Sequence, residues 1–90
     1  MEFEWDPKKA LINKQKHNVT FQEATTIFGD PLAITFPDPD HSKNEHRFLT
    51  FGESSYSRLI IISHTDRAEK IRIISARLMT RNERSLYEEG

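Results

Sequence analysis

The chain has 90 residues, of which 36% are hydrophobic and 30% are charged, with a formal net charge of −1 and no cysteine. This length predicts a single domain over residues 1–90, and the lack of cysteine excludes disulfides and thiolate metal sites. The N-terminal sequence lacks the basic start and apolar core of a signal peptide, and no apolar run approaches membrane-spanning length. We therefore expect a cytoplasmic protein that makes no membrane contact.

The charges are unevenly distributed along the chain. Residues 1–40 contain four lysines against seven acidic residues, whereas residues 41–90 contain nine lysines and arginines against seven acidic residues. All seven arginines lie in the second half. A net charge of −1 neither indicates nor excludes nucleic acid as a ligand, but this distribution allows a local cationic patch.

The N-terminal part predicts a short extended segment and a helix. Residues 3–5 form either a short strand or an extended arm. Asp6 and Pro7 are typical of a helix start, and the helix should end near His17, where Asn18 fits a left-handed cap. Asn13, Lys16 and His17 share one face of this helix.

A second helix is predicted over residues 21–28. Thr20 and Glu23 form the T-x-x-E pattern of a capping box at its start. Residues 29–31, with the sequence Gly-Asp-Pro, end it.

Four strands and a last helix follow. The strands are expected at residues 32–36, 45–51, 58–64 and 70–77. Their short connections predict an antiparallel meander, and Thr80 and Glu83 form a second capping box that starts the C-terminal helix. The predicted fold is therefore α+β, with two N-terminal helices, a four-stranded antiparallel sheet and a C-terminal helix.

The last predicted strand combines β-branched residues with the cations Lys70, Arg72 and Arg77. Guanidinium groups on a rigid sheet suit a phosphate ligand, because their planar fork matches phosphate oxygens. The alternative is that these side chains point to solvent or pair with nearby carboxylates. Arg72 and Arg77 are five residues apart, so on one regular strand they face opposite sides unless a bulge intervenes or Arg77 lies beyond the strand end.

Several segments, taken together and in order, resemble the BrnT family of toxins from type II toxin–antitoxin pairs. They are FEWDPKKALINKQKHNVTFQEA, HRFLTFG, RIISAR and TRNERSLYE, and they extend over residues 3–89. The resemblance implies a RelE-like fold, with helices on one face of an antiparallel sheet and RNA bound on the other. One departure is Asn18, where the family often has glycine, and both residue types tolerate a left-handed cap.

The resemblance also implies an activity and partners. The implied activity is that of a metal-independent endoribonuclease without a cofactor, which cleaves RNA through the 2′-hydroxyl, inhibits translation and arrests growth. The implied partner is a BrnA-like ribbon-helix-helix antitoxin, with operator DNA reached only through the antitoxin complex. The alternative is a non-catalytic antitoxin-binding module that acts only in promoter autorepression, which the modest charge balance and the lack of an obvious acid–base dyad favour.

Metal-free RNA cleavage needs a group that takes a proton from the 2′-hydroxyl, cations at the phosphate, and a proton for the leaving oxygen. Arginine keeps its proton at working pH, so the candidate charge stabilisers are Arg72, Arg77 and Arg47. The candidate acid or base is His17, with helix capping as its alternative role, or Glu45 beside Arg47. The candidate RNA-binding residues are Lys70, Lys16 and His64.

The segment with Asp38, Asp40 and His41 could indicate a metal site. Its two prolines, and the lack of a second ligand group at a set spacing, instead indicate a solvated loop. We therefore predict no metal. Trp5 is expected to pack in the core, with stacking on an RNA base as the alternative.

Overall fold

A computed structural model describes residues 1–43 and 45–89. The helices and strands are β1 (Glu2–Glu4), α1 (Pro7–His17), α2 (Phe21–Thr25), β2 (Ile34–Pro37), β3 (Arg47–Glu53), β4 (Leu59–Arg67), β5 (Lys70–Leu78) and α3 (Arg81–Glu89). Short 3₁₀ helices follow α2 at Thr26–Gly29 and β2 at Pro39–His41. Within this described part of the chain, no helix combines the length and the apolar composition needed to cross a bilayer.

All five strands form one mixed sheet in the order β1-β5-β4-β3-β2. Strands β2 to β5 are the antiparallel meander that the short connections predict, but β1 pairs in parallel with β5. The prediction of a four-stranded antiparallel sheet is therefore wrong. The segment of β1 is too short for its own periodicity to reveal a strand, and its pairing depends on contacts such as that of Glu4 with Arg72, 68 residues away.

The prediction of a second helix over residues 21–28 is also wrong in its extent. The α-helix ends at Thr25, and the chain continues as a 3₁₀ turn. The hydroxyls of Thr25 and Thr26 donate to the carbonyl oxygens of Gln22 and Glu23, three residues earlier. Such local bonds, formed by β-branched residues, compete with regular helix geometry.

The predicted helix ends are otherwise confirmed. The Asp6 carboxylate accepts the N–H of Lys8 at 2.8 Å, and Asn18 adopts the left-handed conformation with φ 56°. At the start of α3 the capping box is reciprocal. The Thr80 hydroxyl accepts the Glu83 N–H, and the Glu83 carboxylate accepts the Thr80 N–H.

The two faces of the sheet are covered differently. Helices α1 and α2 cover one face, whose buried core consists of Val19, Phe21, Ala24, Ile27, Ile60, Ile62, Ile73 and Ala76. Trp5 packs against this core and meets Phe21 edge to face, in agreement with its predicted core role. On the opposite face a smaller cluster of Phe51, Ile61 and Met79 is joined by Tyr87 of α3. Among the helices of the described residues, only α3 contributes a side chain to this cluster.

A β-bulge lies in the middle of β5. Ser63 on β4 pairs with Ser75, but the next residue, His64, pairs with Ile73, so Ile74 has no partner on β4. One extra residue therefore lies between Arg72 and Arg77. The alternation of side chains is shifted there by one position, as is typical of a bulge.

Candidate functional site

The bulge brings Arg72 and Arg77 to the same face of the sheet. Directly paired residues in neighbouring strands point to the same side. Arg72 lies in a row with Thr65 and Arg47, and Arg77 lies in a row with Ile61. We call this side, opposite α1 and α2, the cationic face. The sequence identified a bulge as one condition for a shared site, and the structure contains it.

Both β5 arginines are paired with carboxylates. Arg72 Nη1 lies 2.7 Å from Glu4 Oε2, and this ion pair joins β5 to β1. Arg77 makes two bonds to Glu83 of α3, at 2.7 and 2.8 Å, and these bonds are the main reason why the pKa of Glu83 falls to about 2. Both arginines therefore make the carboxylate contacts that the alternative interpretation predicts.

Arg47 is in a different situation. Its Nε is buried and has no hydrogen-bond partner among residues 1–43 and 45–89. It lines a hollow of about 220 Å³, which we call the Arg47 hollow, formed by Asp38, His41, Arg47, Leu49, Ser63, Ile74 and Ser75. A buried guanidinium N–H without a partner is energetically unfavourable. The guanidinium of a residue that lines a hollow also suits an anionic ligand there.

His17 and Lys16 line a second hollow, at the free edge of β5. We call it the edge hollow; it has a volume of about 190 Å³ and is lined by Lys9, Ile12, Asn13, Lys16, His17, Ile74 and Ser75. The bulge residues Ile74 and Ser75 also line the Arg47 hollow, so they lie between the two sites. His17 is half-buried at the end of α1, and it shares the edge hollow with Ser75, whose side chain lies on the cationic face.

The polar residues on the shared face of α1 have different roles. Asn13 is buried, and its side chain bonds to the backbone of Ala76 and Val19. Lys16 is exposed and His17 is half-buried. The helix face therefore combines one structural amide with two groups that a ligand can reach.

Five sequence candidates line neither hollow: Arg72, Arg77, Glu45, Lys70 and His64. Glu45 precedes β3 and accepts a long bond of 3.4 Å from Arg67, so it does not partner Arg47 as expected. Lys70 begins β5, where its Nζ lies 3.9 Å from a carboxylate oxygen of Glu2. Both pairs involve exposed or half-exposed side chains, and such pairs contribute little to stability.

His64 lies on the helix-covered side of the sheet, so the structure does not bring it to the cationic face. It is 4% exposed and is flanked by the rings of Phe28 and Phe48, with Nε2 2.7 Å from the Thr50 hydroxyl oxygen. Burial, partly opposed by the charge of Asp66, lowers the pKa of His64. Burial therefore favours the neutral form of the ring.

The structure adds a pair that sequence reasoning had assigned to a solvated loop. His41 Nδ1 lies 2.9 Å from Asp38 Oδ2, and both residues line the Arg47 hollow. The available signal was the D-x-x-H spacing, which the one-turn 3₁₀ helix starting at Pro39 converts into a contact. In the described residues, no group of three or more His, Cys, Asp or Glu side chains is arranged to hold a metal ion.

Comparison with known proteins gives one family and one fold. A family model described as the ribonuclease toxin BrnT of type II toxin–antitoxin systems matches residues 5–83. The chain is also similar to the crystal structure of the Brucella abortus ribonuclease toxin BrnT, with 24% sequence identity and a TM-score of 0.70, covering 90% of this chain and 99% of that one. This second similarity concerns the fold. No curated protein matches the chain.

Proposed function

The chain belongs to the BrnT family of ribonuclease toxins of type II toxin–antitoxin systems, and on this basis we propose that it cleaves RNA on its cationic face without a metal ion. The observation that carries the proposal is Arg47, which lines a hollow on this face and whose buried Nε has no hydrogen-bond partner within the described residues. A phosphate in the hollow would lie against the guanidinium group of Arg47, and Arg72 lies in the same cross-strand row.

The proposed reaction is attack of the RNA 2′-oxygen on the adjacent phosphorus. The bond between O2′ and phosphorus forms, and the bond between phosphorus and O5′ breaks, so the products are a 2′,3′-cyclic phosphate and a 5′-hydroxyl. The crowded phosphate carries additional negative charge in the transition state, which fixed cations stabilise. We assign this role to Arg47, Arg72 and Arg77, while Lys70 and Lys16 contact flanking phosphates.

The two arginines that pair with carboxylates remain accessible to RNA. Arg72 and Glu4 are each 28% exposed in their side chains, so the pair is accessible to a competing phosphate. Arg77 is 42% exposed, and its fork is turned to Glu83 at the start of α3. Binding of RNA then exchanges one anionic partner for another, which costs less than desolvating an isolated cation.

We further propose that the chain inhibits translation by this cleavage and that a BrnA-like ribbon-helix-helix antitoxin neutralises it, with operator DNA bound only through the complex. The alternative function is a non-catalytic antitoxin-binding module that acts in promoter autorepression. The carboxylate pairing of Arg72 and Arg77 favours that alternative, since it leaves fewer cations available for a phosphate.

The first test is cleavage of bulk RNA by the purified chain, with and without a strong chelator. We expect cleavage that survives chelation, with Arg47→Ala reducing the rate by about 10²-fold because one transition-state cation is lost. Arg81→Ala is the matched control: this arginine is exposed on α3, and its removal changes the net charge equally. Equal rates for parent and Arg47→Ala would contradict the assigned site.

The second test is induction of the chain in a bacterial host. A ribonuclease toxin arrests growth, lowers protein synthesis and is rescued by the neighbouring antitoxin reading frame. Unimpaired growth, together with intact bulk RNA in the first test, would support the non-catalytic module.

A further inference from the structure

We infer that His41 transfers the proton from the RNA 2′-hydroxyl in the Arg47 hollow, and that Asp38 positions its ring. This inference rests on the proposed ribonuclease function and adds residues to it. The sequence predicts a solvated loop here, and His41 is exposed as expected. The structure adds that the side chains of Asp38 and His41 are in contact beside Arg47.

The contact defines which ring nitrogen is available. An ionised carboxylate only accepts hydrogen bonds, so Nδ1 of His41 carries the proton in its 2.9 Å bond to Asp38. In the neutral ring, Nε2 then has a free lone pair and can accept a proton. The side chain of His41 is 66% exposed whereas that of Asp38 is 14% exposed, so substrate can reach the imidazole while the carboxylate is largely shielded.

The loop that carries the pair is tied to the backbone of Arg47. The Asp38 N–H donates to the Arg47 carbonyl oxygen at 2.8 Å, and the Arg47 N–H donates to the Ser42 hydroxyl at 3.0 Å. The same hydroxyl donates to the Asp38 carbonyl oxygen at 2.6 Å. These bonds fix the base relative to the proposed phosphate-binding cation, and such fixed geometry is what positions catalytic groups productively.

The other three histidines lack one or more of these features. His64 is buried on the helix-covered side, and His46 is exposed but does not line the Arg47 hollow. His17 lines the adjoining edge hollow, and within the described residues its ring has no carboxylate partner. Among the four, His41 alone combines an accessible ring, an orienting carboxylate and a place beside Arg47.

The step balances as a simple proton transfer. With the phosphate held by Arg47, the proton of O2′ moves to His41 Nε2 as the bond from O2′ to phosphorus forms. The bond from phosphorus to O5′ breaks, and O5′ takes a proton from water. The imidazolium is stabilised by Asp38 until it returns its proton to solvent.

The test compares cleavage of one RNA oligonucleotide by parent, His41→Ala, His41→Gln and Asp38→Asn. We expect both His41 variants to lower kcat by about 10²-fold or more, with KM changed less than about threefold, because a general base acts in the transition state. Imidazole added to His41→Ala should restore part of kcat, whereas imidazole added to Arg47→Ala should not. Asp38→Asn should lower kcat with KM nearly unchanged.

His46→Ala is the matched control. It removes an exposed histidine from the same segment between β2 and β3, and His46 does not line the Arg47 hollow. Thermal melting identifies any variant that loses its fold, and His41→Gln provides a second, polar replacement. A parent that cleaves RNA while His41→Ala keeps the parental kcat would overturn the role of His41 alone. A loss confined to KM would also overturn it, and a parent without any cleavage would overturn the proposed function as well.

Discussion

The side-chain amide of Asn13 on α1 forms hydrogen bonds to both backbone groups of Ala76 on β5, as a neighbouring strand would. Its Oδ1 accepts the Ala76 N–H at 3.0 Å, and its Nδ2 donates to the Ala76 carbonyl oxygen at 2.8 Å. The pairing of β1 with β5 ends at Arg72, so beyond that residue no strand of the described part of the chain pairs with this edge of β5. Nδ2 also donates to the carbonyl oxygen of Val19 at 3.0 Å. One amide therefore joins the helix, the segment that follows it and the sheet edge.

Replacement of Asn13 by leucine should reduce the free energy of unfolding by about 2–4 kcal/mol, because buried backbone groups of Ala76 and Val19 would lose their partner. Urea unfolding followed by tryptophan fluorescence measures the change. Gln15→Leu, on an exposed position of the same helix, should stay within about 0.5 kcal/mol of the parent. A similar loss in both variants would mean that added apolar surface, not the lost amide, causes the effect.

Local signals in the sequence predicted the helix ends well. Asp6, Asn18 and Thr80 act through bonds to residues at most four positions away, so the sequence contains both partners of each bond in one short segment. The parallel pairing of β1 could not be predicted in this way. It depends on Phe3 packing against Phe28 and on an ion pair that spans most of the chain.

The candidate site was predictable in part. The periodicity of β5 raised the question of how Arg72 and Arg77 could share a face, but only the pairing with β4 shows that Ile74 is the extra residue. His64 is an RNA-binding candidate in the sequence because it ends a predicted strand. The strand continues to Arg67, and the histidine is buried within it.

The hairpin between β4 and β5 contains stored strain. Its two central residues, Ala68 and Glu69, have φ values of 51° and 69°, in the left-handed region that favours Asn and Gly. The double variant Ala68→Asn, Glu69→Gly should therefore raise the free energy of unfolding by about 1–2 kcal/mol. Chemical denaturation measures the gain, and Glu69→Ala, which removes the charge but keeps Cβ, should give less than about 0.5 kcal/mol. A gain from Glu69→Ala equal to that of the double variant would assign the effect to charge.

Stability should fall on mild acidification because of His64. Burial lowers the pKa of this ring, so below the ordinary histidine value of about 6.5 the unfolded chain binds a proton that the folded protein resists. The free energy of unfolding then decreases as pH falls from 7 to 5.5. The contribution of Glu83 is lost only between its ordinary value of 4.5 and its folded value of about 2, outside this range.

The measurement is urea unfolding at pH 7 and pH 5.5. His64→Phe, which keeps an aromatic ring between Phe28 and Phe48, should abolish most of the difference between the two values. His46→Ala removes an exposed histidine and should leave the difference unchanged. A parental pH dependence in His64→Phe would show that another group titrates with folding.

The pair of Arg72 with Glu4 should compete with RNA. If a phosphate replaces the carboxylate as the partner of Arg72, then Glu4→Gln removes the competitor while keeping the size of the side chain. The affinity for RNA should rise roughly threefold at low salt, since exposed ion pairs contribute less than about 1 kcal/mol, and the gain should shrink as salt screens both contacts. Fluorescence anisotropy with a 2′-O-methyl oligonucleotide measures binding without cleavage.

The control for this prediction is Glu89→Gln, which changes the net charge equally at an exposed position of α3, away from Arg72. An equal gain from Glu89→Gln would attribute the effect to net charge, whereas weaker binding by Glu4→Gln would mean that Glu4 holds Arg72 in the orientation that RNA requires.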